Sequence, residues 1–309
     1  MIVYRELSSL VRDLGISAGT LYAVSNAADR HYRRVLLEKP GGGERVLWVP
    51  DPLLKDIQRR ITRVLLVHMP VSPYATAYRY GGSPLRNAAP HAGQPAVLHL
   101  DIRHFFDSVL YSAVKDAAFP ARIYAESLRV LLTLLCYHRD SLPQGAPSSP
   151  AISNLLLTPF DGRVGDWCAR RNIRYTRYCD DMTFSGAFDP AELTAFVRAQ
   201  LRQEGYFLNE EKTRFMPAGR RQMVTGLVVN EKPAVPADTL RRLRQELYYC
   251  RRYGPADHMA RRGIAGTEEQ YLEHLLGQVS YALQITPQKP ELLRERAWLL
   301  DALAHRRGG

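Results

Sequence analysis

The sequence lacks the features of a membrane protein or a secreted protein. Its 309 residues contain no apolar run of about 18 residues, the length that a membrane-spanning helix needs. Residues 1–6 do not form the start of a secretory signal. The 4 cysteines show neither a paired pattern nor the spacing of metal ligands, which argues against a disulfide scaffold and a zinc site. We therefore expect a cytoplasmic protein with free thiols and no membrane partner.

Acidic residues are fewer than basic residues. The chain has 42 Lys and Arg against 31 Asp and Glu, a formal net charge of +11 and a pI near 9.6. Such an excess favours a polyanionic partner such as nucleic acid, although a merely basic soluble protein would show the same balance. The composition is otherwise that of a globular protein, and the length allows two or three subdomains.

Two adjacent carboxylates, Asp180 and Asp181, form the most informative feature of the chain. They lie between the aromatic-rich residues 173–178 and the apolar residues 182–186, a pattern that predicts strand, tight turn and strand. Two like charges in a turn are unfavourable unless a positive charge lies beside them. Hard oxygen ligands suit Mg²⁺, so the pair predicts a metal site, with an ordinary turn as the alternative.

A third carboxylate strengthens this interpretation. Asp101 lies within the short apolar run of residues 97–102, which predicts a buried strand. Three carboxylates delivered by a strand and a hairpin can hold two metal ions, which activate an attacking hydroxyl and stabilise a leaving pyrophosphate. Taken alone, Asp101 would be read as a surface acid at a strand end.

Several stretches resemble motifs of reverse transcriptases in order and spacing. Residues 100–106 (Leu-Asp-Ile-Arg-His-Phe-Phe) resemble the first palm motif, residues 142–150 (Leu-Pro-Gln-Gly-Ala-Pro-Ser-Ser-Pro) the Gln-Gly…Ser-Pro motif, and residues 178–181 (Tyr-Cys-Asp-Asp) the Tyr-x-Asp-Asp box. Residues 87–91 (Asn-Ala-Ala-Pro-His) and 224–226 (Val-Thr-Gly) look like signatures of bacterial retron reverse transcriptases. The resemblance extends from about Tyr32 to about Tyr281.

The resemblance implies an α+β chain with a right-hand polymerase fold. Residues 1–95 would hold amino-terminal helices and fingers with the retron-type loop. Residues 96–235 would form the palm, an antiparallel sheet with helices that carries the catalytic site and includes inserted fingers helices. Residues 236–309 would form a helical thumb.

The resemblance also implies roles for individual residues. Asp101, Asp180 and Asp181 would be catalytic and would hold two Mg²⁺ ions, with Mn²⁺ as a possible substitute. Deoxynucleoside triphosphates would be bound by Lys39, Arg45, Phe106, Gln144 and Lys212. Phe106 would lie beneath the sugar and exclude a 2′-hydroxyl. RNA or template would be bound by Asn87, His91, Val224, Thr225, Gly226, Arg241 and Arg244. The alternative for this last set is that the loop and turn residues only support folding and that the arginines lie on a solvated helix face.

The remaining patterns predict the elements that carry these residues. A β-hairpin is predicted over residues 32–49 and a helix from Asp51 to about Val67. Residues 8–21 predict two helices around Gly15, either a packed layer or a DNA-reading helix-turn-helix. One helix is predicted over residues 150–168, another over 190–204, short apolar stretches at 206–208 and 213–215, and three carboxy-terminal helices over 237–252, 267–283 and 290–306.

The resemblance thus implies a retron reverse transcriptase. It would copy a cognate structured noncoding RNA into single-stranded, RNA-linked multicopy DNA and act in anti-phage defence with a separately encoded effector protein. One alternative is another bacterial reverse transcriptase, of the group II intron or diversity-generating type. A second is a non-catalytic nucleic-acid-binding subunit, which the complete set of three aspartates argues against.

Overall fold

The computed structural model of the chain describes residues 3–38 and 42–307, which form a mixture of helices and antiparallel strands. The predicted α+β class is therefore confirmed. Two compact units are present: residues 1–87 with 95–216, and residues 88–94 with 217–309. In the described parts of the chain, no helix combines the length and hydropathy that crossing a membrane requires.

The first unit contains the majority of the elements. Its helices and strands, in chain order, are α1 (Leu7–Leu14), α2 (Ala18–Asn26), β1 (Tyr32–Glu38), β2 (Glu44–Pro50), α3 (Pro52–Val64), α4 (Pro84–Ala88), β3 (Ala96–Asp101), α5 (Phe105–Ser108), α6 (Tyr111–Ala118), α7 (Glu126–Cys136), α8 (Ser149–Leu156), α9 (Thr158–Ala169), β4 (Arg174–Tyr178), β5 (Asp181–Ser185), α10 (Pro190–Gln203) and β6 (Arg214–Pro217).

A four-stranded sheet with the order β4-β5-β3-β6 forms the centre of this unit. Strand β5 pairs antiparallel with β4 on one side and with β3 on the other. Leu98 and Leu100 on β3, and Met182 and Phe184 on β5, are buried. The two residues of each pair lie on the same face of the sheet, because successive side chains of a strand point to opposite faces. These apolar residues join one continuous core with the surrounding helices.

The amino-terminal helices pack against this core. Gly15 ends α1 in the left-handed conformation, with φ of 64°, which glycine adopts without steric cost. Leu10 and Leu14 of α1 and Leu21 of α2 are buried. One apolar face of each helix therefore packs against the core, as the packed-layer prediction requires, while the opposite face of α2 stays exposed at Tyr22.

The sequence prediction over residues 150–168 is wrong in one respect. Instead of one helix there are two, α8 and α9, which meet at Leu157 with φ of −88° and ψ of 1°. Pro159 lies in the first turn of α9. Proline has no amide N–H to continue the preceding helix and is favourable at a helix start, so the chain breaks and begins a new helix there.

The second unit consists of a small hairpin and a helical bundle. Its elements are β7 (Met223–Val224), β8 (Leu227–Val228), α11 (Ala237–Tyr253), α12 (Pro255–Arg262), α13 (Glu268–Ile285) and α14 (Pro290–Arg307). Three of these helices match the predicted ones, whereas the short helix α12 was not predicted. The bundle buries an apolar stripe that includes Leu243, Leu247, Leu272 and Leu275.

The three predicted regions stay a prediction, and the two compact units divide the chain in another way. Residues 96–216 belong to the same unit as residues 1–87, while residues 88–94 belong with the hairpin and bundle. Within residues 88–94, the amide of Gly93 donates to the carbonyl of Val229 and the carbonyl of Gln94 accepts from Gln222 Nε2. These hydrogen bonds explain why the end of the loop belongs to the second unit. The stretch at 206–208 forms an isolated bridge, Ile102 with Leu208, and not a strand.

Candidate active site

A two-residue turn presents the paired aspartates. Tyr178 at the end of β4 pairs directly with Asp181 at the start of β5, so only Cys179 and Asp180 connect the strands. We call these two residues the aspartate turn. Cys179 has a φ of 63°, a conformation that two-residue hairpins require and that costs energy for a residue with a side chain. The predicted strand, turn and strand are present.

The third aspartate lies beside this turn. Asp101, the last residue of β3, pairs across the sheet with Asp181, which brings together side chains that are 80 residues apart in sequence (181 − 101). Its side chain is almost fully buried, at 3% exposure, whereas that of Asp181 is 42% exposed. The sheet register, and not local sequence, therefore assembles the carboxylates.

The carboxylates have opposite pKa shifts. Burial, together with a hydrogen bond to Asp181, raises the pKa of Asp101 to about 6. Burial and the neighbouring charge of Asp181 also raise the pKa of Asp180. Burial alone would raise the pKa of Asp181 too, but hydrogen bonds from His99 and Asp101 lower it. Close carboxylates share protons in this way because adjacent like charges disfavour ionisation.

Two polar neighbours of the aspartates were not predicted from the sequence. His99 Nε2 lies 3.5 Å from Asp181 Oδ1, and the side-chain amide of Asn209 donates to Asp101 Oδ2 at 3.1 Å. His99 could have been found, because it precedes Asp101 by two residues on the same strand and so shares its face. Asn209 had no such signal, since a long-range contact brings it to β3.

Lys212 also contacts the buried aspartate. Its Nζ lies 3.0 Å from Asp101 Oδ2, while most of the lysine side chain, 58%, remains exposed. The ammonium therefore compensates part of the negative charge of Asp101 and remains accessible to a further anion. This position is compatible with the predicted nucleotide contact, which stays a prediction.

Phe106 lies at the rim of the core in the short helix α5. Phe105 is buried and its ring contacts Phe106, with centroids 5.4 Å apart. Phe106 is only partly buried, and its carbonyl accepts from the amide of Leu142 at 3.0 Å. This hydrogen bond fixes α5 next to the segment that leads to Gln144. The predicted contact of Phe106 with a sugar remains a prediction.

Gln144 and Arg45 lie on facing segments of the first unit. The carbonyl of Gln144 accepts from the amide of Trp48 in β2 at 2.8 Å. Gly145 follows with a φ of 112°, and a Cβ there would be 3.0 Å from the Trp48 carbonyl oxygen, so glycine permits this close backbone approach. Arg45 lies on exposed β2. Lys39 lies outside the described residues.

The residues predicted to bind RNA differ widely in exposure. The side chains of Asn87, His91 and Val224 are buried, at 1%, 0% and 2% exposure. Asn87 Oδ1 accepts from the hydroxyl of Thr76 at 2.6 Å. Direct contact with RNA would require these side chains to leave their buried positions, and RNA binding by them stays a prediction.

The other members of that set are exposed, except for Thr225, which is half-buried. Thr225 and Gly226 form the two-residue turn between β7 and β8, with φ of 44° and 80°. A Cβ on Gly226 would meet no atom within 4 Å, which leaves space beside the turn. Arg241 and Arg244 lie on the exposed face of α11, where Arg244 Nε is 3.6 Å from Glu291 Oε2. RNA binding by these residues stays a prediction.

The aspartates fit a divalent cation only in part. Asp101 and Asp181 supply adjacent hard oxygens whose mutual repulsion a cation would relieve. In the described ranges, however, no three His, Cys, Asp or Glu side chains converge as a complete metal-binding group. Lys212 and Asn209 already contact one oxygen of Asp101. Asp101 and Asp181 therefore supply part of a site for a divalent cation.

Comparisons with known proteins agree with this geometry. The family described as reverse transcriptase (RNA-dependent DNA polymerase) matches residues 37–229. The chain is 33% identical to the retron Mx65 reverse transcriptase of Myxococcus xanthus, covering 95% of this chain and 71% of that protein. It is 30% identical to the retron Ec86 reverse transcriptase of Escherichia coli, covering 83% of this chain and 82% of that protein.

A solved structure of telomerase from Candida tropicalis, in complex with a TWJ fragment of telomeric RNA, is also similar. It has a TM-score of 0.49 and 13% identity, and the match covers 82% of this chain and 52% of that chain.

Proposed function

This chain belongs to the reverse transcriptase family, among the retron reverse transcriptases, and from that premise we propose that it copies a cognate structured noncoding RNA into RNA-linked single-stranded DNA. RNA-directed DNA polymerase activity is the property of the family to which it belongs. The observation that carries the proposal is the pairing of Asp101 with Asp181 beside the aspartate turn.

Asp101, Asp180 and Asp181 would hold the divalent cations, and we propose Mg²⁺ because carboxylate oxygens suit it. Such ions supply charge neutralisation at the reacting phosphate and increase the nucleophilicity of the attacking hydroxyl. The protein side chains have a different task, which is to position the reactants and exclude unsuitable ones.

Nucleotide positioning follows from the residues around the aspartates. The Lys212 ammonium beside Asp101 provides a positive charge for the triphosphate or a proton for the departing pyrophosphate. Phe106, fixed through its carbonyl to Leu142, would pack beneath the deoxyribose and exclude the 2′-hydroxyl. Gln144 and Arg45 would contact the nucleotide from the facing segment.

Sequencing the nucleic acid that copurifies with the protein tests the choice of template. We expect one structured RNA and a DNA strand complementary to part of it, with the DNA attached to a 2′-hydroxyl of that RNA. Material from the Asp181→Asn variant should contain the RNA without the DNA. Recovery of an intron RNA or a variable-repeat RNA instead would favour the alternative classes of bacterial reverse transcriptase.

A role in anti-phage defence is the second part of the proposal, and its support is membership of the retron group. Protection would need the RNA, an active polymerase and a separately encoded effector protein. Phages should form fewer plaques on cells that carry all three than on cells that lack them. Asp181→Asn should restore the plaque number to that of the unprotected cells. Protection that survives Asp181→Asn would show that DNA synthesis is not part of the defence.

A further inference from the structure

The largest fully buried side chain in the described part of the protein is charged, and it lies next to the aspartate turn. Arg177, on β4, has no exposed side-chain surface, and neither does its partner Asp161, on α9. Burying two charges is costly even when they are paired. A hydrophobic pair of similar volume would fill the same space, so the charged pair calls for an explanation.

The guanidinium of Arg177 uses its donors in two directions. Nε and Nη2 donate to the two carboxylate oxygens of Asp161, at 2.8 and 2.6 Å. Nη1 donates to the backbone carbonyl of Cys179 at 2.7 Å. Asp161 thus orients the planar group, and the remaining donor reaches the aspartate turn. A planar fork of fixed geometry can make both contacts at once, whereas a lysine ammonium lacks this geometry.

The carbonyl of Cys179 belongs to the peptide group that joins Cys179 to Asp180, so a hydrogen bond to this carbonyl fixes the orientation of that peptide. Cys179 has an unfavourable positive φ, and the turn has only two residues, so few contacts can hold this peptide. A charge-assisted hydrogen bond to a buried carbonyl is among the stronger interactions available for that purpose. Two further contacts support Arg177 and Asp161: Tyr175 donates to Asp161, and Asn154 accepts from Arg177.

The backbone of Arg177 is held from the opposite side. Its carbonyl accepts from the amide of Thr76 at 2.8 Å and from the Thr76 hydroxyl at 2.9 Å. The Thr76 hydroxyl also contacts Asn87 Oδ1. Arg177 is therefore fixed along both its side chain and its main chain, by α9 on one side and by the loop before α4 on the other.

We propose that Arg177 is a positioning residue that holds the aspartate turn in the conformation in which Asp180 and Asp181 bind a divalent cation. This inference rests on the proposed function of the aspartates. Because Arg177 is fully buried, it acts on the site through the Cys179 carbonyl. Residues that orient metal ligands in this way typically change metal affinity by about 10–100-fold when they are replaced.

The test must separate positioning from stability, because removing one member of a buried ion pair also destabilises the fold. Asp161→Asn provides the matched control. It disrupts the same ion pair but leaves Arg177 able to donate to Cys179. Arg177→Lys retains a positive charge beside Asp161 but loses the fork. Arg177→Met/Asp161→Asn leaves no unpaired buried charge and also removes the hydrogen bond to the turn.

The readout is Mn²⁺ binding by the nucleic-acid-free protein, followed by the electron paramagnetic resonance signal of free Mn²⁺. Asp181→Asn defines the loss of the site, and thermal melting reports stability. We expect Arg177→Lys and the double variant to raise the half-saturating Mn²⁺ concentration about tenfold or more. Asp161→Asn should raise it less than about threefold despite a lower melting temperature.

Two results would overturn the proposal. One is unchanged Mn²⁺ binding in both Arg177 variants, and the other is an equal rise in Asp161→Asn, which would make the pair merely structural. Failure of the proposed function is distinguishable from these results. Wild-type protein that binds Mn²⁺ through Asp181 but synthesises no DNA on the copurified RNA would refute the template proposal and leave the role of Arg177 intact.

Discussion

Asp180 and Asp181 are adjacent in sequence but differ in their surroundings. Asp181 lies next to His99 and faces Asp101 across the sheet, and its pKa is lowered by His99 and Asp101 although burial opposes this. Asp180 belongs to the turn, and its pKa is raised by burial and by the charge of Asp181. The pKa values of two adjacent carboxyl groups therefore shift in opposite directions, because their neighbours differ.

Replacing either Asp180 or Asp181 tests the metal-binding role. We expect Asp180→Asn or Asp181→Asn to lower the rate of DNA synthesis on the order of a thousandfold, because a lost metal ligand removes several kcal/mol of charge stabilisation. RNA binding should remain close to that of the wild type, since asparagine preserves the shape. Primer-extension rates and an RNA-binding titration measure the two properties.

Asp56→Asn is a suitable control for these variants. Asp56 is an exposed aspartate on α3 whose side chain only pairs with Arg60 one helical turn away, so its replacement should change neither property. Near-normal synthesis by the Asp180 and Asp181 variants would refute the assignment of the site.

Phe106 allows a test of sugar selection. Phe106→Val shortens the side chain at the rim of the core, and we expect discrimination against ribonucleotides to fall about tenfold or more, in the range typical of steric contacts in a pocket. Incorporation of matched ribo- and deoxynucleotides gives the ratio. Phe105 is buried, so Phe105→Leu should lower the melting temperature without changing that ratio. An unchanged ratio in Phe106→Val would mean that another residue selects the sugar.

Site residues that belong to a local sequence pattern could be predicted from the sequence, whereas residues that reach the site through tertiary contacts could not. The three aspartates stand out because strand and turn patterns place them at element ends. Arg177 and Asp161 gave no comparable signal, since an arginine within a strand ordinarily points to solvent. Only the packing of α9 on β4 reveals that Arg177 is buried and paired.

At the scale of elements, α11, α12 and α13 meet at a single glutamate. Glu246 Oε2 accepts from His258 Nε2 at 2.8 Å and from the Tyr271 hydroxyl at 2.9 Å, and Oε1 lies 3.1 Å from Arg262 Nη2. Burial opposes ionisation, yet the hydrogen bonds from His258 and Tyr271 and the charge of Arg262 lower the pKa of Glu246. One ionised side chain therefore connects three helices.

The lowered pKa of Glu246 predicts the pH dependence of its contribution. A carboxylate with a lower pKa in the folded state stabilises the fold fully above its ordinary pKa of 4.5 and loses that contribution as the pH falls below it. Glu246→Gln should lower the melting temperature by about 2–6 °C at pH 7, and the difference from the wild type should shrink at pH 3–4. Thermal melting of both proteins across this range measures the effect. A difference that is constant with pH would contradict the role of the charge.

Element prediction succeeded where helices had clear starts and failed where two helices adjoin. Asp51 caps α3 by accepting from the amide of Leu54, and Pro52 begins that helix, which is the pattern that the sequence displayed. The break before α9 was missed because the apolar periodicity continues across Leu157. Helix α12 was missed because it is only 8 residues long and follows α11 directly.

At the scale of the whole molecule, the loop before β3 divides between the two compact units. Asn87 lies in the first unit and His91 in the second. The resemblance implies RNA binding by Asn87 and His91, but the sequence could not show that both side chains are buried. Burial depends on long-range partners such as Thr76 for Asn87. The two retron-like stretches therefore differ in exposure: Asn87 and His91 are buried, whereas Gly226 in the second stretch is exposed. The sequence suggested the same role for both stretches.

This difference leads to opposite expectations for the two stretches in template choice. Thr225 is half-buried and Gly226 is exposed in a tight turn, where the Thr225 side chain would contact phosphate or a 2′-hydroxyl and Gly226 would allow a close backbone approach. We expect Thr225→Ala/Gly226→Ala to reduce synthesis on the cognate RNA at least about tenfold more than extension of a generic annealed primer, if contacts worth about 1.4 kcal/mol are lost.

Asn87→Ala/His91→Ala should behave differently, because it removes buried side chains. Both activities should fall together with the melting temperature, since the Thr76 hydroxyl would lose the side-chain oxygen of Asn87. Gly205→Ala is the control for strain in the first double variant: Gly205 has a φ of 79°, close to the 80° of Gly226, and a Cβ at either position would meet no atom within 4 Å. Gly205→Ala should lower stability without changing template preference. A matched loss on both templates in Thr225→Ala/Gly226→Ala, with a melting temperature like that of Gly205→Ala, would mean that the turn supports folding and that RNA is selected elsewhere.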